Sequence, residues 1–228
     1  MKLDIIYEDK DILVCFKPAG VATQTARLSS QDVVSMMKNY LAKQTGEKDP
    51  YVGVIHRLDQ PVSGLLVFAK NQKSAASLSR QIQDGNANKD YIAMCLGTWE
   101  EKSGQLTHYI KKDPTTKLAK VLDEDDGSGF YKKAVLTYEV EKELDGASIV
   151  KVHLQTGRFH QIRAQFSHME HALLGDAKYA DTKAKEESMK RRIPKIALVA
   201  NRLVLKHPAT GEEMEFVLTK EYLPQWYR

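Results

Sequence analysis

The chain has 228 residues, 42% of them hydrophobic, and its 34 Lys and Arg against 30 Asp and Glu leave a formal net charge of +4. That is enough apolar material for one large globular domain, the organisation expected over 1–228, while no apolar run approaches the roughly 20 residues of a membrane span. Cys15 and Cys95 lie far apart without a CxxC, which excludes a disulfide framework or zinc ribbon, and the acidic residues in the opening MKLDIIYEDKD exclude a secretory leader, so a soluble cytoplasmic monomer is expected.

Strands are predicted at 4–7 and 12–17, the second ended by Pro18-Ala19-Gly20. Val33, Met36, Met37, Tyr40 and Leu41 then fall at helical spacing, with Ser29 or Ser30 as cap and Gly46 as stop. In HRLDQPVSG, residues 56–64, Asp59 precedes Gln60-Pro61 and Ser63-Gly64; local rules make this a turn whose amides the carboxylate caps, before a buried strand at 64–70. Asn71 caps a predicted second helix to about Asp84, with Ala75, Leu78 and Ile82 inward and Gly85 as terminator. Strands follow at 90–96, 106–110, 118–122, 134–141 and 149–154, a helix at 159–169, and strands at 202–205 and 213–218. Strands in runs with few helices indicate an α+β fold with a mixed, largely antiparallel sheet and flanking helices; no Gly-rich phosphate loop supports a doubly wound fold.

Along the helix at 159–169, Phe159, Ile162, Phe166 and Met169 form an apolar stripe, with His160, Arg163 and Ser167 on the adjacent face. An isolated helical Arg is usually solvated, but TGRFHQIR gathers two arginines, a histidine and an amide at a turn-to-helix junction, where free N–H groups favour anions. In KDYIAMCLG, alternation places Tyr91, Ala93 and Cys95 on one strand face, where a tyrosine is ordinarily core. His153, His160, His168 and His171 cluster in sequence, yet their spacing matches no closed zinc pattern, so no metal is expected. Ser63-Gly64 is not a nucleophile elbow. Basic clusters at Lys111-Lys112, Lys117-Lys120, Lys132-Lys133 and 183–195 are each ordinary solvated surface, but together are compatible with a face that follows phosphates.

Three segments in order carry a family resemblance. HRLDQPVSG resembles the HRLDxxTSG motif of the RluA-like family of pseudouridine synthases, Lys89-Asp90-Tyr91-Ile92-Ala93 its K-x-Y-x-A motif, and LQTGRFHQIR its LxTGRxHQIR motif. The opening IIYEDKDILVCFKPAG and the closing NRLVLKHPATGEE are similar to the family's usual ends, so the resemblance spans nearly the whole chain. Val62 replaces a usual Thr, Gln165 a common His, and Gln60-Pro61 a more polar pair.

The resemblance implies a pseudouridine-synthase-like catalytic domain with a central RNA-binding cleft, without the small N-terminal RNA-binding domain of many relatives. It implies isomerisation of uridine to pseudouridine in ribosomal or transfer RNA, with Asp59 as the catalytic carboxylate, Tyr91 stacking on the flipped base and Arg163 pairing with Asp59. The neighbouring motif positions His56, Arg57, Leu58, Arg158, His160, Gln161 and Ile162 are expected to hold substrate. Reactant and product are isomers, so no cofactor is expected. A non-catalytic RNA-binding module is the competing class; it would need basic and aromatic surface but not Asp59, Tyr91 and Arg163 together.

Overall fold

A computed structural model describes residues 3–25 and 31–228. In chain order its elements are β1 (Asp4–Glu8), β2 (Ile12–Lys17), α1 (Val33–Thr45), β3 (Gly53–Val54), β4 (Ser63–Ala69), α2 (Gln72–Gln83), β5 (Asn88–Leu96), β6 (Ser103–Lys112), β7 (Ala119–Leu122), β8 (Lys132–Leu144), β9 (Ala147–Leu154), α3 (Gln161–His168), α4 (Thr182–Lys190), β10 (Leu198–Lys206) and β11 (Glu213–Val217). They fall into two compact units: the described residues up to Asn88 with Ala200–Leu223, and Lys89–Val199 with Pro224–Arg228.

In the first unit the strand order is β1-β2-β4-β10, with β3 on β4 and β11 on β10. The registers of β1–β2, β2–β4, β3–β4 and β10–β11 are antiparallel. Residues 12–15 and 65–69 are buried almost throughout, so β2 and β4 form the unit's centre. Gly64 opens β4 at φ +135°, and a Cβ there would lie 2.3 Å from the Ala200 carbonyl oxygen; only glycine lets β4 start this close to β10. The first helix has the predicted buried face and Gly46 stop, but its cap is Asp32, whose carboxylate accepts the Ser35 N–H at 2.7 Å. Asp32 also takes the Thr25 N–H at 2.6 Å, fastening the incoming segment, a role no serine hydroxyl could fill with both oxygens. Ser29 and Ser30 lie outside the described residues. Asn71 caps α2 as expected, but the helix also buries Ser74, which donates to Asp11 Oδ1 at 2.9 Å.

The second unit has strand order β5-β9-β8-β6-β7, every neighbouring pair antiparallel. α3 contacts β6 and β7. The strands β6 and β8 extend beyond the predicted limits because their ends are exposed and polar, held by the ladder rather than by burial. The helix α4 was not predicted: Ala184 and Ser188 are its buried residues, too small and too polar to give an apolar period. Cys15 and Cys95 are buried and unpaired, and burial pushes both thiols up to about 12, which makes them inert. No helix among the described residues is long and apolar enough to cross a membrane.

Candidate active site

Asp59 sits half-buried in the loop before β4, and hydrogen bonds hold its neighbours Leu58, Gln60 and Val62. Thr23 clamps the preceding residue: its hydroxyl donates to the Leu58 carbonyl at 3.0 Å and accepts the Leu58 N–H at 3.2 Å. On the other side, the Gln60 carbonyl accepts the Gly20 N–H at 2.8 Å and the Lys17 ammonium at 3.0 Å. Lys17 is fully buried, and its ammonium also donates to the carbonyls of Pro18 at 3.1 Å and Val21 at 2.6 Å. Burial lowers the Lys17 pKa to about 8, with the Asp59 charge acting in the opposite direction. The FKPAG turn is thus a buried cation under the Asp59 loop, a residue sequence reasoning missed; the signal was a lysine closing an apolar strand. The Val62 N–H closes the Asp59 turn onto the Asp59 backbone carbonyl at 3.0 Å, so turn closure does not require the carboxylate. Gln60, one of the departures from the family pattern, adds a bond from its amide to the Gly20 carbonyl at 3.0 Å. His56 is half-buried and accepts the Val67 N–H on Nε2 at 3.3 Å; Arg57 is exposed and Leu58 buried.

Arg163 is 3% exposed, not solvated. Its fork grips Asp176, Nε to Oδ2 at 2.8 Å and Nη2 to Oδ1 at 2.7 Å, and its guanidinium lies 5.1 Å over the Tyr179 ring. Asp176 Oδ1 also accepts the Lys178 N–H at 2.9 Å, so the carboxylate that orients Arg163 is itself fixed by its turn. Asp176 was not anticipated from sequence; a buried arginine demands such a partner, and the GDAKY turn supplies it. The remaining face of α3 is equally enclosed: Gln161, Ile162, Ala164, Gln165 and Phe166 are all buried, whereas Met169, assigned to the apolar stripe, is 39% exposed just past the helix end.

The positions expected to hold substrate in this segment therefore divide. The Gln161 amide is used inside the loop, accepting from the Thr156 hydroxyl at 2.8 Å and the Arg158 N–H at 2.9 Å and donating to the Val135 carbonyl at 3.1 Å. Ile162 is core. Arg158 is exposed, with Nε on the Lys133 carbonyl at 2.8 Å. His160 precedes α3 in the left-handed conformation, φ 52°, its ring stacked on Phe159 at 3.7 Å and its Nδ1 2.8 Å from the Tyr179 hydroxyl. Left-handed backbone is uncommon outside glycine, and here it sets the angle at which the helix leaves the loop.

Tyr91 is buried on β5, and its neighbours Ile92 and Ala93 are buried as well, so both faces of that strand are covered. Asp90, on the opposite face from Tyr91, meets His153 across the ladder at 2.6 Å.

Among the described residues, two groups of side chains bring metal-ligand types together, His108 with Asp123 and His168, and Asp9 with Asp11 and His207. Hydrogen bonds occupy both. Gln165 donates to His108 Nδ1 at 2.9 Å, so neutral His108 carries its proton on Nε2, facing Asp123, and offers no lone pair there. His207 Nδ1 accepts the Thr210 N–H at 3.2 Å, which directs the Nε2 proton to Asp9 at 2.8 Å. Gln165 stands where the family commonly has His, and its amide is committed to this contact.

The basic clusters are not alike. Lys190 and Arg191 are tied to Glu187 at 3.6 and 2.5 Å, which neutralises part of the 183–195 run. By contrast, Lys111 lies 4.6 Å over the ring of Phe130, which is 69% exposed, and Lys112 lies 4.8 Å over the partly buried ring of Phe159.

The chain matches the RNA pseudouridylate synthase family over residues 11–168. It is similar to ribosomal large subunit pseudouridine synthase D of Vibrio vulnificus, 33% identical over 221 residues, covering 94% of this chain and 66% of the relative. It is also similar to an uncharacterised RNA pseudouridine synthase of Bacillus subtilis, 32% identical over 95% of this chain and 68% of the relative. The chain thus spans about two thirds of the length of these relatives. Among solved structures, human RNA pseudouridylate synthase domain containing 4 superposes with a TM-score of 0.78 at 22% identity, covering 98% of this chain and 90% of that one. Human RNA pseudouridylate synthase domain containing 1 does so at 0.73 and 24%, covering 98% and 85%, and both show the α+β fold inferred from the strand order. With three motifs in order, the fold and the family match in agreement, the chain belongs to the RluA-like RNA pseudouridylate synthase family, isomerases that convert uridine in RNA to pseudouridine.

Proposed function

We propose that the chain isomerises uridine to pseudouridine in ribosomal or transfer RNA, acting as a cytoplasmic monomer without metal or cofactor. The observation that carries the reading is that the family match over residues 11–168 contains Asp59, Tyr91 and Arg163, each within its motif. In the reaction the bond from ribose C1′ to uracil N1 breaks, the base turns, and a bond from C1′ to C5 replaces it; the C5 hydrogen leaves as a proton and N1 gains one. Asp59 assists cleavage of the glycosidic bond as nucleophile or base. Arg163, aligned by Asp176, supplies a guanidinium of fixed orientation to the reaction. Tyr91 stacks on the extracted uracil, and the target base leaves the RNA stack at a cost of a few kcal/mol, least from a loop. The surface of Lys111, Lys112 and the exposed Phe130 suits RNA, since phosphates meet the lysines and a base meets the ring.

Substitutions at Tyr91 test the assignment. Tyr91→Phe should keep the ring, worth about 1–3 kcal/mol of base stacking, and slow turnover by about 10²-fold through loss of the hydroxyl's proton transfer. Tyr91→Ala should weaken RNA binding as well. Wild-type turnover in the Phe variant removes the proton-transfer role, and wild-type behaviour of the Ala variant removes Tyr91 from the reaction.

A further inference from the structure

Adjacent residues of β5 are treated oppositely by the fold. The Asp90 carboxylate has His153 at 2.6 Å on one face. Lys89 lies on the other face, 9% exposed, and its ammonium has no hydrogen-bond or ion-pair partner among the described residues. Burial alone depresses its pKa, and no charged neighbour offsets the shift. Lys17 gives the internal comparison: more deeply buried, it is satisfied by three carbonyls. A lone buried ammonium is costly, and such a group, left without a partner, marks a place where an external ligand completes the structure.

Position and access identify that ligand. Lys89 shares a strand face with Tyr91, two residues and so roughly 7 Å along. Its Nζ points at the TGRFHQIR loop, 3.5 Å from where a Gly157 side chain would begin, and it is not sealed from solvent. A side chain larger than methyl at 157 would cover it. Arg158, the next residue, presents an exposed guanidinium beside the same loop. A lone buried ammonium fits a full negative charge better than a uracil carbonyl or ribose hydroxyl, which supply only a dipole, and RNA carries one such charge per nucleotide.

We propose that Lys89 is an anion subsite that takes a backbone phosphate of the RNA beside the uridine stacked on Tyr91. The subsite rests on the function proposed above, and it makes Lys89 a substrate-binding residue whose lost stability is recovered when RNA binds.

The test is single-turnover pseudouridine formation in bulk RNA from cells lacking the gene, with the half-saturating protein concentration followed from low to high salt, for wild type, Lys89→Met and Lys89→Arg. Thermal unfolding is measured on the same preparations. Lys89→Met should raise the half-saturating concentration by about ten-fold and flatten the logarithmic salt slope by about 0.7–0.9, the value of one phosphate, while melting at or above wild type. Lys89→Arg should retain the slope. An unchanged slope in the Met variant overturns the subsite, whether the rate falls, as for a contact to uracil or ribose, or stays the same. A lower melting temperature or failure to fold overturns it too, since the lysine would then be structural. Wild-type protein that makes no pseudouridine would instead refute the proposed function itself.

Discussion

Asp59→Asn is expected to reduce pseudouridine formation by at least about 10³-fold while leaving the fold and most RNA affinity intact. The fold should survive because the Asp59 turn is closed by backbone, Val62 N–H to Asp59 carbonyl at 3.0 Å, and because Thr23, Lys17 and Gly20 hold the flanking residues through main-chain atoms. Asparagine keeps the shape and hydrogen-bonding capacity of the side chain at this position. It loses the charge, and with it the ability to act as nucleophile or base. RNA affinity should persist, since phosphate contacts and stacking supply it and a carboxylate repels phosphate. Single-turnover assays, RNA titration and thermal unfolding on one preparation check all three parts. Near-normal turnover would remove Asp59 from the chemistry, and loss of turnover with full RNA binding would also exclude a module that merely binds RNA.

Asp176→Asn is expected to cost about 3–5 kcal/mol of stability, because it breaks a buried pair and leaves the Arg163 guanidinium facing an amide. Both partners are almost completely enclosed, with side-chain exposures of 4% and 0%, so solvent cannot replace the lost charge. The effect should extend to activity, since Asp176 fixes two donors of the Arg163 fork. Urea unfolding measures the first consequence, and the single-turnover rate at temperatures where the variant stays folded measures the second. A variant as stable as wild type would mean that the Arg163–Asp176 contact carries no net weight.

What the sequence made legible follows from how locally each feature is determined. β2 and the first two helices were readable because a run of buried β-branched and aliphatic residues, or a 3.6-residue stripe ended by Gly46 or Gly85, is a local signal. The two residues of β3 and the small buried face of α4 carry no such period. The Asp32 cap was missed because Ser29 and Ser30 also fit a cap, and the choice depended on Thr25, seven residues earlier, needing the same carboxylate. The motif residues Asp59, Tyr91 and Arg163 stood out through their company in the chain. Their supports did not: Asp176 is thirteen residues from Arg163 and Lys17 forty-three from Gln60, contacts that only the folded chain creates. Arg163 is buried against the default for an isolated helical arginine because a carboxylate waits across the loop.

The central claim is that this chain moves the ribose bond of uridine from N1 to C5, and the C5 hydrogen reports that step directly. Bulk RNA from cells lacking the gene, grown with uracil tritiated at C5, should release one tritium to water for each pseudouridine formed when purified protein is added in excess EDTA with no cofactor. Release should saturate at a fixed stoichiometry and be absent with Asp59→Asn. No release from any RNA, or release that requires an added divalent ion, would contradict the account.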